Sequence, residues 1–309
     1  MSFFKKKKKD DGIVVLKKPE PKTGGGTNAT LDTKAPHVIR SEEMTLFDVS
    51  CALNGNAVTA SGDRLGFISA YAVRAATGSF LFLSTGERFR RTSDKNASWA
   101  LAEANVFPAL VSLVRECDLA KNNGFRSHTS GLPENFGGEI DVRYESGERI
   151  SVSNNQSPII TSEVGLRIAR FFKEAMEGER VPLPSPDDIV GVRFSEERKN
   201  GGFTRAVLTL RSDGSGSVAR TARYDDERVY ESSREITAEA VAGIRRTVAE
   251  KALFARAFLP ETESFLGDKK ELVFVLRDGG EVRVPGEVMI PDELRGGFFD
   301  VELTLTSFS

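Results

Sequence analysis

The chain carries one pattern twice, and the repeat limits what it can fold into. Ile140, Val142 and Tyr144 alternate with polar residues up to Ser146-Gly147, and Ile150 and Val152 resume the alternation beyond it. Leu272, Phe274, Leu276, Asp278-Gly279, Val282 and Val284 do the same, each 132 positions further on. Apolar residues at every second position on both sides of a glycine turn specify a hairpin with one buried face. Two such hairpins at this distance predict two copies of one domain. A length of 309 residues suits about two domains of ordinary size.

Around the hairpins the spacing predicts further elements in the same order. Leu46–Leu53, Leu65–Val73 and Ser79–Ser84 read as strands, with Arg88–Thr92 as a fourth. Ala97 to Leu119 switches to helical spacing, with Leu110, Val111, Val114 and Cys117 on one side, and Pro108 fits only an early helical position. A second helix covers 162–176, where Val164, Ile168, Phe171, Phe172 and Ala175 form a stripe. In the second half, Ile189–Phe194, Phe203–Leu210 and Gly216–Thr221 read as strands, joined by turn chemistry at Gly201-Gly202 and Asp213-Gly214. A helix follows from about Ala238 with Thr237 as its cap. The last segment reads as a short helical turn followed by a strand, because Gly296-Gly297 oppose a longer helix. The expected class is α+β, with two similar domains, each an antiparallel sheet packed against one or two helices.

The boundaries follow from composition. Residues 1–40 hold ten Lys or Arg against four Asp or Glu, which leaves about −8 on the remainder of a chain whose net charge is −2. Pro19, Pro21 and Gly24 to Gly26 suit a flexible tether, so 1–40 is expected to be a disordered basic tail and linker. Pro182, Pro184 and Pro186 prevent a helix and mark 181–187 as a stiff link. The domains are then 41–180 and 188–309.

The tail is the one charged segment with a specific binding chemistry. Phe3 and Phe4 precede Lys5, Lys6, Lys7, Lys8 and Lys9. Lysines near an anionic membrane surface contribute about 1 kcal/mol each, and two aromatic rings can enter the interface. The same run also reads as a solvated end. The acidic body repels phosphate, so no nucleic acid is expected. Ile13 to Leu16 is too short for a signal peptide.

The residues offer little to an enzyme. There is no Cys-x-x-Cys, no His-Glu-x-x-His and no phosphate loop. Two histidines, His37 and His128, and two cysteines, Cys51 and Cys117, are the whole stock. His128 with Cys117 is the only nucleophile–base pairing to consider, and His128 with Glu134, Glu139 and Asp141 the only metal grouping. Both read more simply as structural residues, so no catalytic residue, metal or cofactor is expected. Trp99 and Tyr71, near Arg88, Arg90 and Arg91, are the candidate recognition aromatics.

Lys121, Gly124-Phe125, Gly138, Ile140, Val142, Tyr144, Gly147, Ile150, Ser153 and Pro158 resemble a motif of an uncharacterised bacterial protein family. In it a helix enters a Lys-x-x-Gly-Phe turn, followed by a Gly-turn hairpin and a Ser…Pro loop. The resemblance spans roughly 119–172 and implies fold and copy number, with no known activity. These observations predict a cytoplasmic, non-catalytic protein-binding or scaffold protein that meets an unidentified protein partner. The alternative is a peripheral protein at the inner membrane surface, held there by the basic tail.

Overall fold

Backbone pairing between strands carries most of this chain. A computed structural model describes residues 5–8, 13–17, 26–58, 64–86, 97–132, 136–224, 228–264 and 266–307. It divides into two compact units, Met1–Val181 and Pro182–Ser309. The α+β expectation is corrected: among the described residues the structure is mostly β, with 42% strand against 25% helix, in two large sheets with few helices. The excess comes from strands that no local apolar alternation announced.

The first unit holds β1 (Lys5–Lys8), β2 (Ile13–Lys17), β3 (Thr27–Asp32), β4 (Met44–Val58), β5 (Arg64–Arg74), β6 (Ser79–Gly86), β7 (Ala97–Ala102), β8 (Phe125–Thr129), β9 (Gly138–Tyr144) and β10 (Arg149–Asn154). They form one sheet in the order β1-β2-β3-β8-β10-β9-β4-β5-β6-β7, mixed because β8 and β10 run parallel. The expected disordered tail is therefore corrected in part. Thr27–Leu31 pairs with Phe125–Thr129, and β2 and β1 extend the sheet from β3. The β-branched residues Thr27 and Thr30 suit a strand, and Ala29 is buried. Ala97–Ala102, expected to open a helix, is a strand against β6, because cross-strand partners such as Phe82 opposite Trp99 override alanine's helical preference. The helix α1 begins only at Phe107–Glu116, with Pro108 in its first turn. The proposed strand Arg88–Thr92 lies outside the described residues.

One face of this sheet buries Phe47, Val49, Ile68, Leu81, Ile140, Val142 and Ile150 against α1 and against α2 (Ser162–Met176). Ile168, Ala169 and Phe172 are the buried stripe of α2, and the Phe47 and Phe172 rings lie 5.7 Å apart. Thr161 caps α2 by accepting from the Val164 amide.

The second unit holds β11 (Ile189–Glu197), β12 (Phe203–Leu210), β13 (Gly216–Arg223), β14 (Val229–Ile236), α3 (Ala238–Glu250), α4 (Leu253–Arg256), β15 (Lys269–Leu276), β16 (Glu281–Pro285) and α5 (Asp292–Thr306). Its six strands pair antiparallel in the order β14-β13-β12-β11-β15-β16. Thr237 caps α3 through the Ala240 amide. The final segment is a 15-residue helix rather than a turn and a strand. Gly297 serves close packing there, since a Cβ would sit 2.3 Å from that of Lys251. Arg256, almost fully buried, donates to the carbonyls of Leu294 and Arg295 at 2.7 and 3.0 Å and ties α4 to the start of α5. Burial lowers its pKa to about 10. The segment 181–187 is not a bare link: Leu183 packs on the second core, and Pro186–Asp188 forms a 3-10 turn capped by Ser185.

Within each unit the strands β7-β6-β5-β4-β9-β10 and β14-β13-β12-β11-β15-β16 succeed one another in the same order. Each copy has a register shift at the same place, between Met44 and Leu46 in β4 and between Ile189 and Gly191 in β11. Among the described residues two that are not glycine adopt positive φ, Asp118 at 50° and Ala252 at 54°, and each precedes a buried leucine after the helix, Leu119 or Leu253.

The turns show why the repeat is readable. At 144–148 and 276–280 the same two main-chain bonds close a three-residue loop: Gly147 N to Tyr144 O and Tyr144 N to Glu148 O, then Gly279 N to Leu276 O and Leu276 N to Gly280 O. The loops at 198–202 and 211–215 repeat both bonds around Gly201 and Gly214. In each, the side chain before the glycine (Ser146, Asn200, Asp213 or Asp278) accepts from the amide after it. This is a type I turn followed by a left-handed residue, which favours glycine. Gly147 and Gly279 have φ of 85° and 86° with open space where a Cβ would go. Alanine at either position therefore meets only the left-handed backbone penalty. We expect Gly147→Ala and Gly279→Ala each to lower stability by about 1–2 kcal/mol, measured by urea unfolding, without changing the spectrum of the folded state.

Candidate functional site

The residues with catalytic chemistry do not converge. Cys51 is fully buried on β4, and burial raises its pKa, which disfavours the thiolate. Cys117 caps α1 half-buried, and burial raises its pKa as well. His128 lies exposed on β8 opposite Asn28, and no hydrogen bond joins it to Cys117. The His37 ring nitrogen Nδ1 lies 3.1 Å from the Lys121 carbonyl, a contact that holds the approach to β4. Among the described residues no three His, Cys, Asp or Glu side chains are placed to hold a metal ion. Glu134 lies outside them, as do Arg88, Arg90 and Arg91. Trp99 stacks on Phe80 at 6.2 Å and Tyr71 is buried, so both serve packing.

Of the expected membrane contacts, Phe3, Phe4 and Lys9 lie outside the described residues. Lys5, Lys6, Lys7 and Lys8 form β1, paired with Val14–Lys17. No helix among the described residues is long and apolar enough to cross a membrane.

What the fold does place at the surface is a sheet edge. β14 ends the order of the second sheet and pairs with β13 alone among the described strands. Seven of its eight residues are exposed or half-exposed, on both faces of the sheet, including Val229 at 55% and Tyr230 at 46%. The equivalent edge of the first unit, β7, is covered at its C-terminal end. Residues 179–181 run along it: Glu103 N donates to Glu179 O at 3.0 Å, Val181 N donates to Leu101 O at 2.8 Å, and Ala102 bridges Arg180. The two copies thus differ at this edge by a three-residue segment paired with its C-terminal end.

Aromatic and charged side chains gather beside the open edge. Tyr224, 41% exposed just after β13, lies 5.8 Å from Tyr230 on β14. The Arg198 guanidinium covers the Tyr224 ring at 5.2 Å, and Arg220 lies 6.0 Å from it and donates to its hydroxyl. Arg198 in turn pairs with Glu196, which also meets Lys270 at 3.3 Å. Lys270 bonds Glu302 of α5 at 2.7 Å. This network holds the aromatic pair on a rigid base. Sequence reading missed β14 because Val-Tyr-Glu-Ser-Ser-Arg-Glu-Ile shows weak alternation; the usable signal was position, the strand preceding a Thr-capped helix.

No protein-family model matches the chain, and no curated protein matches it either.

Burial alone would raise the Glu196 pKa, but Lys270 and Arg198 outweigh it and hold the carboxyl below its ordinary value. A lowered folded-state pKa contributes stability above the unfolded value of 4.5 that is lost as pH falls through the folded one. Glu196→Gln removes this dependence. Urea unfolding at pH 7 and below pH 4 is expected to show a stability gap between native and variant chains that narrows on acidification. An equal gap at both pH values contradicts the assignment.

Proposed function

We propose that the chain is a non-catalytic protein-binding module that accepts an extended partner segment as an added strand on β14. The observation that carries this reading is the contrast between the two copies: residues 179–181 pair with the C-terminal end of the edge strand in the first unit, whereas β14 in the second pairs with β13 alone among the described strands. A sheet edge offers a row of main-chain donors and acceptors to any extended segment, and side chains on the flanking surface select among them. Tyr224 and Tyr230 supply that selection, because aromatic anchors gain large contact area at small entropic cost. Each added main-chain bond contributes about 1 kcal/mol net. With the cost of association subtracted, binding falls in the micromolar range typical of transient contacts, on the order of −8 kcal/mol. A cytoplasmic setting belongs to the same reading, in keeping with two cysteines left as free thiols.

The test is selection of extended peptides from a random library on the full chain, followed by amide hydrogen exchange. Protection of alternate amides in Val229–Ile236 is the expected result. Ser232→Pro and Ser233→Pro separate strand addition from other modes. Proline is tolerated only where the N–H faces outward, so the variant that keeps the native melting temperature should bind selected peptides at least tenfold more weakly. Peptides that leave β14 unprotected, or that bind the folded proline variant unchanged, overturn the proposal.

A further inference from the structure

The sequence of β14 matches itself. We infer that the strand added to β14 is β14 of a second copy of this chain, giving a two-fold dimer with one continuous sheet; the inference rests on the strand-addition reading above.

Two identical strands that meet antiparallel around a two-fold axis normal to the sheet must pair residues whose numbers sum to an even value. Otherwise the inner face of one copy would lie opposite the outer face of the other. The pairing of β13 with β14 sets those faces. Tyr230, Ser232 and Arg234 lie opposite Ala222, Arg220 and Val218, while Glu231, Ser233 and Glu235 lie opposite Thr221, Ala219 and Ser217. Val218 and Ala222 are buried, which makes the first set the helix-covered side.

Few registers satisfy this rule over most of the strand, and charge separates them. Centring the axis on Glu231 sets that carboxylate against its own copy. Centring on Ser233 sets Glu231 against Glu235, and centring on Arg234 sets two guanidinium groups together. Like charges directly opposite are destabilising in antiparallel pairs. Centring on Ser232 avoids all of these. Ser232 lies opposite Ser232, Glu231 opposite Ser233, Val229 opposite Glu235, and Tyr230 opposite Arg234 twice, where the Arg234 guanidinium also donates to the Thr304 carbonyl of its own α5. An Arg guanidinium against a Tyr ring is an attractive contact, and this protein already uses it at Tyr224, where Arg198 lies over the ring at 5.2 Å. The junction therefore extends an existing row of tyrosine and arginine side chains. Edge strands that avoid self-association commonly carry lysine, proline or an inward-pointing charge. β14 has neither lysine nor proline; its one charge on the helix-covered side, Arg234, donates to the Thr304 carbonyl of α5, and two small serines occupy the centre of the strand.

The experiment joins sedimentation with cross-linking on the full chain. Native protein should sediment as a concentration-dependent dimer. Ser232→Cys in a Cys117→Ser background should oxidise to a covalent dimer, since the two Cβ atoms face each other. Glu235→Cys in the same background should not, because its symmetry mate lies about 20 Å away along the strand at about 3.4 Å per residue. Sedimentation as a monomer, or equal cross-linking of the two variants, overturns the inference. The same peptide exchange measurement then tells the two proposals apart. A monomer that still protects β14 amides with a selected peptide loses the dimer and keeps strand addition, whereas a monomer with no protection loses both.

Discussion

The antiparallel ladder between a long strand and a glycine-turn hairpin is the constraint on which each unit depends. In the first unit Phe47 pairs with Val142 and Val49 with Ile140, and in the second Val192 pairs with Phe274 and Phe194 with Leu272. All eight are at most 3% exposed. A slip of one residue would turn every one of them to the opposite face. The turn and the shift at Met44/Leu46 or Ile189/Gly191 lie at the same end of each ladder, beside Tyr144 or Leu276, and together fix the register there. With that ladder in place, the remaining strands add on outward, and the helices have one apolar surface to cover.

The helices illustrate how little local preference decides once that surface exists. Gly297 lies inside α5, where glycine costs about 1 kcal/mol relative to alanine. Its missing Cβ lets Lys251 approach, and Phe298, Val301 and Leu305 bury against the second core in return. Gly165 does the same in α2, where a Cβ would sit 2.7 Å from Leu53. Close approach of the helix backbone, to the end of α3 at Gly297 and to β4 at Gly165, outweighs intrinsic helix preference.

Much of this architecture was legible in particular residues. The Ser146-Gly147 and Asp278-Gly279 turns, the Asp213-Gly214 and Gly201-Gly202 loops, the α2 stripe and the Thr237 cap each rest on contacts within a few positions. The helix read from Ala97 failed because Trp99 and Leu101 find partners on β6. The tail read as a tether failed at Thr27–Asp32 because its partner, β8, lies almost a hundred residues away. No periodicity within either segment records that pairing. The candidate edge was invisible for the same reason, since an open edge is a property of what does not pair with it.

The sequence alone determined the turns, the alternation that marks a buried face, and the doubling of both, because each is set by residues close together in the chain. Tertiary structure decided how many strands join each sheet and which edges stay open. Residues 179–181 pair with the end of β7, while β14 pairs with β13 alone among the described strands. Main-chain hydrogen bonding makes that difference, and the main chain is the same for nearly every residue type, so side-chain pattern does not encode it.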